Sequence, residues 1–64
     1  MLRGLSFLGK RVVVLYEYYW GQLGLIKGVD RTGLWIIELE ETDEYGPVVL
    51  ALESTAFQLD RDRL

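Results

Sequence analysis

The chain has 64 residues, half of them hydrophobic, and contains no cysteine and no histidine. This length allows one small domain, and the missing residue types exclude disulfides and Cys/His zinc sites as stabilising devices. Seven basic and ten acidic side chains give a net charge of −3, which argues against broad nucleic-acid binding because phosphate contacts dominate that affinity.

The charge is unevenly distributed along the chain. Residues 1–31 carry +3 and residues 32–64 carry −6, so a small local basic patch is compatible with the acidic total. No apolar run approaches the roughly 20 residues of a transmembrane helix, and the first residues are too interrupted for the apolar core of a signal peptide. We therefore expect a soluble, cytoplasmic protein.

The first 41 residues predict a short helix followed by three strands. Leucines at positions 2, 5 and 8 share one stripe of a helix over about residues 2–8, which ends near Gly9. Residues 10–18 are rich in β-branched and aromatic side chains and predict the first strand. Residues 22–31 and 34–41 alternate in hydrophobicity, and Thr32-Gly33 between them predicts a tight hairpin turn.

Two more strands are predicted in the C-terminal half, over residues 47–52 and 56–60. Pro47 opens the first of them, a position where its missing N–H does little harm. Short strands in meander order, preceded by a helix, predict an all-β fold, a small five-stranded antiparallel SH3-like or Sm-like barrel. We expect one domain over residues 1–64.

The strands contain more large apolar side chains than one small barrel can bury. If Val12, Val14 and Tyr16 point inward, the residues between them point outward, and the fourth strand likewise has two apolar faces. We therefore expect a homo-oligomer in which edge strands four and five pair between neighbouring copies. The candidate interface residues come from these two strands and are Val49, Ala51, Phe57 and Leu59.

Four segments in this order resemble the Sm-like (LSm/Hfq-type) family. They are the leucine stripe, Gly9-Lys10-Arg11-Val12-Val13-Val14, Gly24-Leu25-Ile26-Lys27-Gly28-Val29-Asp30, and the apolar strand over residues 34–41 that ends in acids. The resemblance spans about residues 2–41. It implies a homo-oligomeric ring built by pairing of strands four and five, and a site for single-stranded RNA around its pore.

The resemblance implies RNA-binding residues at the turn after the second strand. The candidates are Asp30, Arg31, Thr32 and Lys27. The chain departs from the family pattern at Thr32, where the family favours histidine or an aromatic residue, and at Leu34, where it has asparagine. Residues 53–55 replace its Arg-Gly pair, so the usual uridine pocket is poorly matched.

An aromatic run provides a second candidate surface. Tyr18, Tyr19 and Trp20 could stack on bases or meet a protein partner. Alternatively, Tyr18 lies in the core or an interface and Tyr19 and Trp20 pack on the corner that follows the strand. The acidic residues over 38–44 lack the spacing of a calcium loop. We find no catalytic constellation and expect no enzyme, metal or cofactor. The alternative to the ring is an SH3-like protein-interaction or structural module without nucleic-acid binding.

Overall fold

A computed structural model describes residues 7–60, which form one five-stranded antiparallel sheet. The strands are β1 (Arg11–Val14), β2 (Leu23–Val29), β3 (Trp35–Asp43), β4 (Gly46–Leu52) and β5 (Phe57–Leu59). Single turns of 3₁₀ helix cover Glu17–Tyr19 and Ser54–Ala56. The helix predicted over residues 2–8 lies largely outside the described residues. The predicted all-β class is confirmed.

The first strand is much shorter than the predicted segment of residues 10–18. It ends at Val14, because the chain must already reverse there to return as β2: the Val14 N–H donates to the Gln22 carbonyl (2.8 Å) and the Gly21 N–H donates to the Val14 carbonyl (2.8 Å). Gly21 adopts a φ of 84°, which favours glycine. Tyr16 therefore lies beyond the strand and is 43% exposed, not inward as its alternation with Val14 predicts.

The sheet order is β4-β3-β2-β1-β5. Strands β1 to β4 follow the predicted meander, and β5 pairs with the far side of β1, with Val13 opposite Gln58. Consequently β4 and β5 are the two edges of the sheet. Between them, β2 and β3 pair with a one-residue bulge at Lys27, because Ile26 faces Ile37 whereas Gly28 faces Ile36.

One face of the sheet forms the core. Its buried side chains come from four strands and are Val12, Val14, Ile26, Ile37, Leu39 and Leu52. The inward prediction for Val12 and Val14 is confirmed, since both are fully buried. In β2 the inward positions are Gly24 and Ile26, so Leu25 lies on the outer face.

The sheet is strongly curled around this core. The rings of Trp35 on β3 and Phe57 on β5 lie 6.2 Å apart between centroids, in an edge-to-face arrangement. These strands are three positions apart in the sheet, a separation of about 14 Å if the sheet were flat. Phe7 also contacts Trp35, at 5.7 Å between ring centroids, so three aromatic rings pack together against the core.

Candidate functional site

The turn between β2 and β3 is organised by the side chain of Asp30. Its Oδ1 accepts hydrogen bonds from the Thr32 N–H (2.9 Å), the Thr32 hydroxyl (2.7 Å) and the Leu34 N–H (3.0 Å). Gly33 completes the turn with a φ of 95°, and its N–H donates to the Asp30 carbonyl (3.0 Å). The predicted turn at Thr32-Gly33 is confirmed, and Asp30 holds it in one conformation.

These hydrogen bonds lower the pKa of the Asp30 carboxyl below its ordinary value of 3.8. The largest cause is the Thr32 hydroxyl, followed by the Leu34 N–H, because both donate to the ionised form. The side chains of Asp30 and Thr32, both candidates for RNA contact, are therefore already engaged with the turn itself.

The two basic candidates at this end of the hairpin differ in their surroundings. Lys27 is the bulged residue of β2, and its Nζ lies 3.8 Å from Glu38 Oε1. Arg31 is exposed at the tip of the turn and forms no ion pair with any residue from 7 to 60. Among residues 7–60, the turn thus presents a guanidinium without an ion pair beside the hydrogen bonds of Asp30.

The aromatic candidates fall into two groups. Tyr18 is 78% exposed and Trp20 is 67% exposed, both on the connection from β1 to β2. Tyr19 instead packs against the core cluster. The rings of Tyr16 and Tyr18 meet edge to face at 6.2 Å, so Tyr16, which the strand prediction placed inside, belongs to the exposed group.

The candidate interface residues lie on the two edges of the sheet. Within the described chain, β4 pairs only with β3 and β5 only with β1, which leaves one side of each strand without a partner. Val49 and Leu59 are 55% and 39% exposed, and Ala51 is also exposed. Phe57 is half-buried and contacts Trp35, so most of its ring faces inward.

Ion pairs on the outer face tie three strands together. Arg11 Nε lies 3.1 Å from Glu40 Oε2, and Arg11 Nη1 lies 3.6 Å from Asp60 Oδ2. The sequence alone did not indicate these pairs, because they depend on β5 lying beside β1 and on β3 lying two strands away on the other side. Residues 7–60 carry four basic and nine acidic side chains, and Arg11 and Lys27 are both paired with acids. The described surface is therefore predominantly acidic.

Sequence reasoning also missed a groove beside the exposed tyrosines. It has a volume of about 330 Å³ and lies between the end of β1, the end of β4 and the second 3₁₀ turn. Glu53 and Tyr16 both line it. The signal in the sequence is the aromatic run, but the run alone does not place the acid beside it.

Residues 7–60 contain no group of three or more acidic side chains arranged to hold a metal ion. Nor does this part of the chain include a helix with the length and apolarity needed to cross a membrane. No family model, curated protein or solved structure matches the chain significantly.

Proposed function

We propose that this chain is an Sm-like subunit that assembles into a homo-oligomeric ring, with β4 of one copy pairing with β5 of the next. The observation that carries the proposal is the pair of single-partnered edge strands at opposite ends of the same sheet. An unpaired edge offers a row of free N–H and C=O groups. Pairing of two different edges is head-to-tail, and such contacts close into rings when the rotation between copies allows it.

The shape of the sheet and the exposed side chains support this assignment. The contact between Trp35 and Phe57 brings together strands three positions apart in the sheet, and this curl supports the proposed barrel. Assembly would remove the exposed apolar surface of Val49 and Leu59 from water. Such burial stabilises an assembly by about 25 cal/mol per Å². The segment from Gly24 to Asp30, on which the family resemblance depends, forms β2 and the start of its turn.

Light scattering of the purified protein tests the ring. We expect the mass of a closed oligomer, several times the 7.4 kDa of one chain, and the same value over a range of protein concentrations. A lysine on an edge strand discourages strand pairing. Val49→Lys on β4 should therefore reduce the mass, whereas Val29→Lys, at a similarly exposed valine (47%) on the interior strand β2, should not. A monomeric wild-type protein at micromolar concentration would overturn the proposal.

We also propose that the ring binds single-stranded RNA through the turn after β2. The observation that favours this is Arg31, an exposed cation without an ion pair among the described residues. Fluorescence anisotropy with labelled oligo-uridine at low salt measures it. Arg31→Ala should weaken binding, while Arg11→Ala removes the same charge from a position already neutralised by acids and should change it little. Absence of oligo-uridine binding at low salt would overturn the proposed RNA binding, because phosphate contacts are strongest at low salt.

A further inference from the structure

The groove beside Tyr16 has the composition of a binding site for a short peptide segment. Its wall combines the Tyr16 ring with Leu34, the small side chains of Thr55 and Ala56, and the carboxylate-bearing Glu53. A hydrogen bond from the Leu15 N–H to the Ala56 carbonyl (2.8 Å) fixes the second 3₁₀ turn against the end of β1. This backbone hydrogen bond joins two segments that border the groove.

Tyr16 lines this groove, and Tyr18 stands next to it as a second exposed ring. Tyr16 is 43% exposed and meets Tyr18, 78% exposed, at 6.2 Å between ring centroids. Two neighbouring exposed rings present faces with negative electrostatic potential, and exposed apolar surface of this kind marks interaction sites.

The charged side chains at the groove are all negative. Glu53 lines it and Glu17 lies between the two tyrosines along the chain, and both are exposed. Neither carboxylate has an ion pair among residues 7–60, and none of the residues that line the groove is basic. A cation is therefore favoured there, while the phosphates of a nucleic acid are repelled.

We propose that this groove binds an extended peptide segment of a protein partner that carries arginine or lysine side chains. A guanidinium or ammonium group can stack on the tyrosine faces and pair with Glu53, and the peptide's small apolar residues can pack along Leu34 and Ala56. A volume of about 330 Å³ accommodates one or two such side chains. This site goes beyond ring assembly and does not depend on it.

The test is fluorescence anisotropy at low salt with a labelled octapeptide of alternating arginine and alanine. The comparison is the same peptide with glutamate in place of each arginine. We expect the arginine peptide alone to bind. Tyr16→Leu keeps apolar volume but removes the ring face, and Glu53→Gln removes the charge. Each should weaken binding about threefold, the size expected for one exposed cation–π or ion-pair contact. Tyr45→Ala, at a tyrosine 89% exposed on the turn between β3 and β4, should leave the affinity unchanged.

Several results would overturn the peptide site. They are absence of binding, equal binding of the glutamate peptide, or equal weakening by Tyr45→Ala. Loss of oligo-uridine binding in Tyr16→Leu would assign the tyrosines to nucleic acid instead. Circular dichroism and light scattering of each variant show whether fold and mass are retained, so failure of the ring and failure of the peptide site are distinguishable.

Discussion

At the scale of single residues, Gly24 is required by close packing between β2 and β3. A Cβ at this position would lie 2.8 Å from Ile37 Cγ2 and 2.9 Å from the Glu38 carbonyl oxygen, and the latter belongs to the paired strand and cannot move freely. We expect Gly24→Ala to destabilise the protein by about 2 kcal/mol. Urea denaturation measures the change.

Gly28 provides the matched control in the same strand. A Cβ there meets no atom within 4 Å, so Gly28→Ala should change stability by less than about 1 kcal/mol and can raise it by restricting the unfolded chain. Equal losses for the two alanine variants would contradict the packing role of Gly24.

Asp30 makes the stability of the β2–β3 turn depend on pH. Its pKa is lower in the folded protein than the ordinary value of 3.8, chiefly because the Thr32 hydroxyl donates to the ionised carboxylate. The ionised group therefore stabilises the fold above pH 3.8, and this contribution is lost as the pH falls through the lower, folded-state pKa.

We expect Asp30→Asn, which keeps an oxygen acceptor without the charge, to be less stable than the wild type at pH 7. The two proteins should converge in unfolding free energy under acid conditions, where Asp30 is protonated in both the folded and unfolded states. Urea denaturation at a series of pH values measures this convergence. A difference that is the same at every pH would show that the charge is not involved.

At the scale of elements, β5 is a three-residue strand that needs more than its pairing with β1 to stay in place. Phe57 supplies the additional stabilisation, because its half-buried ring contacts Trp35 and the core cluster. We expect Phe57→Ala to cost about 2 to 3 kcal/mol, somewhat below the range for a fully buried phenylalanine. Thermal and urea unfolding measure the loss.

The neighbouring Gln58 is exposed on the same strand and serves as the control. Gln58→Ala should change stability by less than about 0.5 kcal/mol, as surface substitutions usually do. If Phe57→Ala were equally mild, β5 would be held by its backbone pairing alone, and the aromatic contact would not explain the curl of the sheet.

At the scale of the whole molecule, the chain is short and has only six buried core side chains among its described residues. A domain of about 60 residues is marginal when it folds alone, since it buries only about 60% of its unfolded surface. Assembly through β4 and β5 would therefore contribute directly to stability. We expect the melting temperature to rise with protein concentration, because folding and association are then linked.

Differential scanning calorimetry at several concentrations measures this dependence, and Val49→Lys should reduce it. A melting temperature independent of concentration, together with a monomeric mass, would mean that the curled sheet is sufficient by itself. In that case charged side chains near the strand ends, including Glu53, would have to prevent the free edges from pairing with other copies.

Local patterns predicted much of the fold. The alternation around Val12 and Val14 predicted the inward face of β1, and Thr32-Gly33 predicted the hairpin turn. Both features depend on residues close together in the chain: side chains alternate between the two faces of a strand, and glycine tolerates a positive φ. The sequence predicts Asp30 only as an RNA-binding candidate, and its role as hydrogen-bond acceptor within the turn is visible only in the structure.

Tertiary structure decided the rest, where distant segments compete for the same backbone groups. β1 stops at Val14 because Gln22 and Gly21 take its hydrogen bonds, which moves Tyr16 from the core to the groove. Arg11 reaches Asp60 only because β5 lies beside β1, and it reaches Glu40 only because β3 follows β2 on the other side. The sequence by itself determined the all-β class, the turn and the core-facing valines, since these depend on neighbouring residues. The strand ends, the sheet edges and the tyrosine groove depend on which distant strands pair, and only the folded chain fixes that.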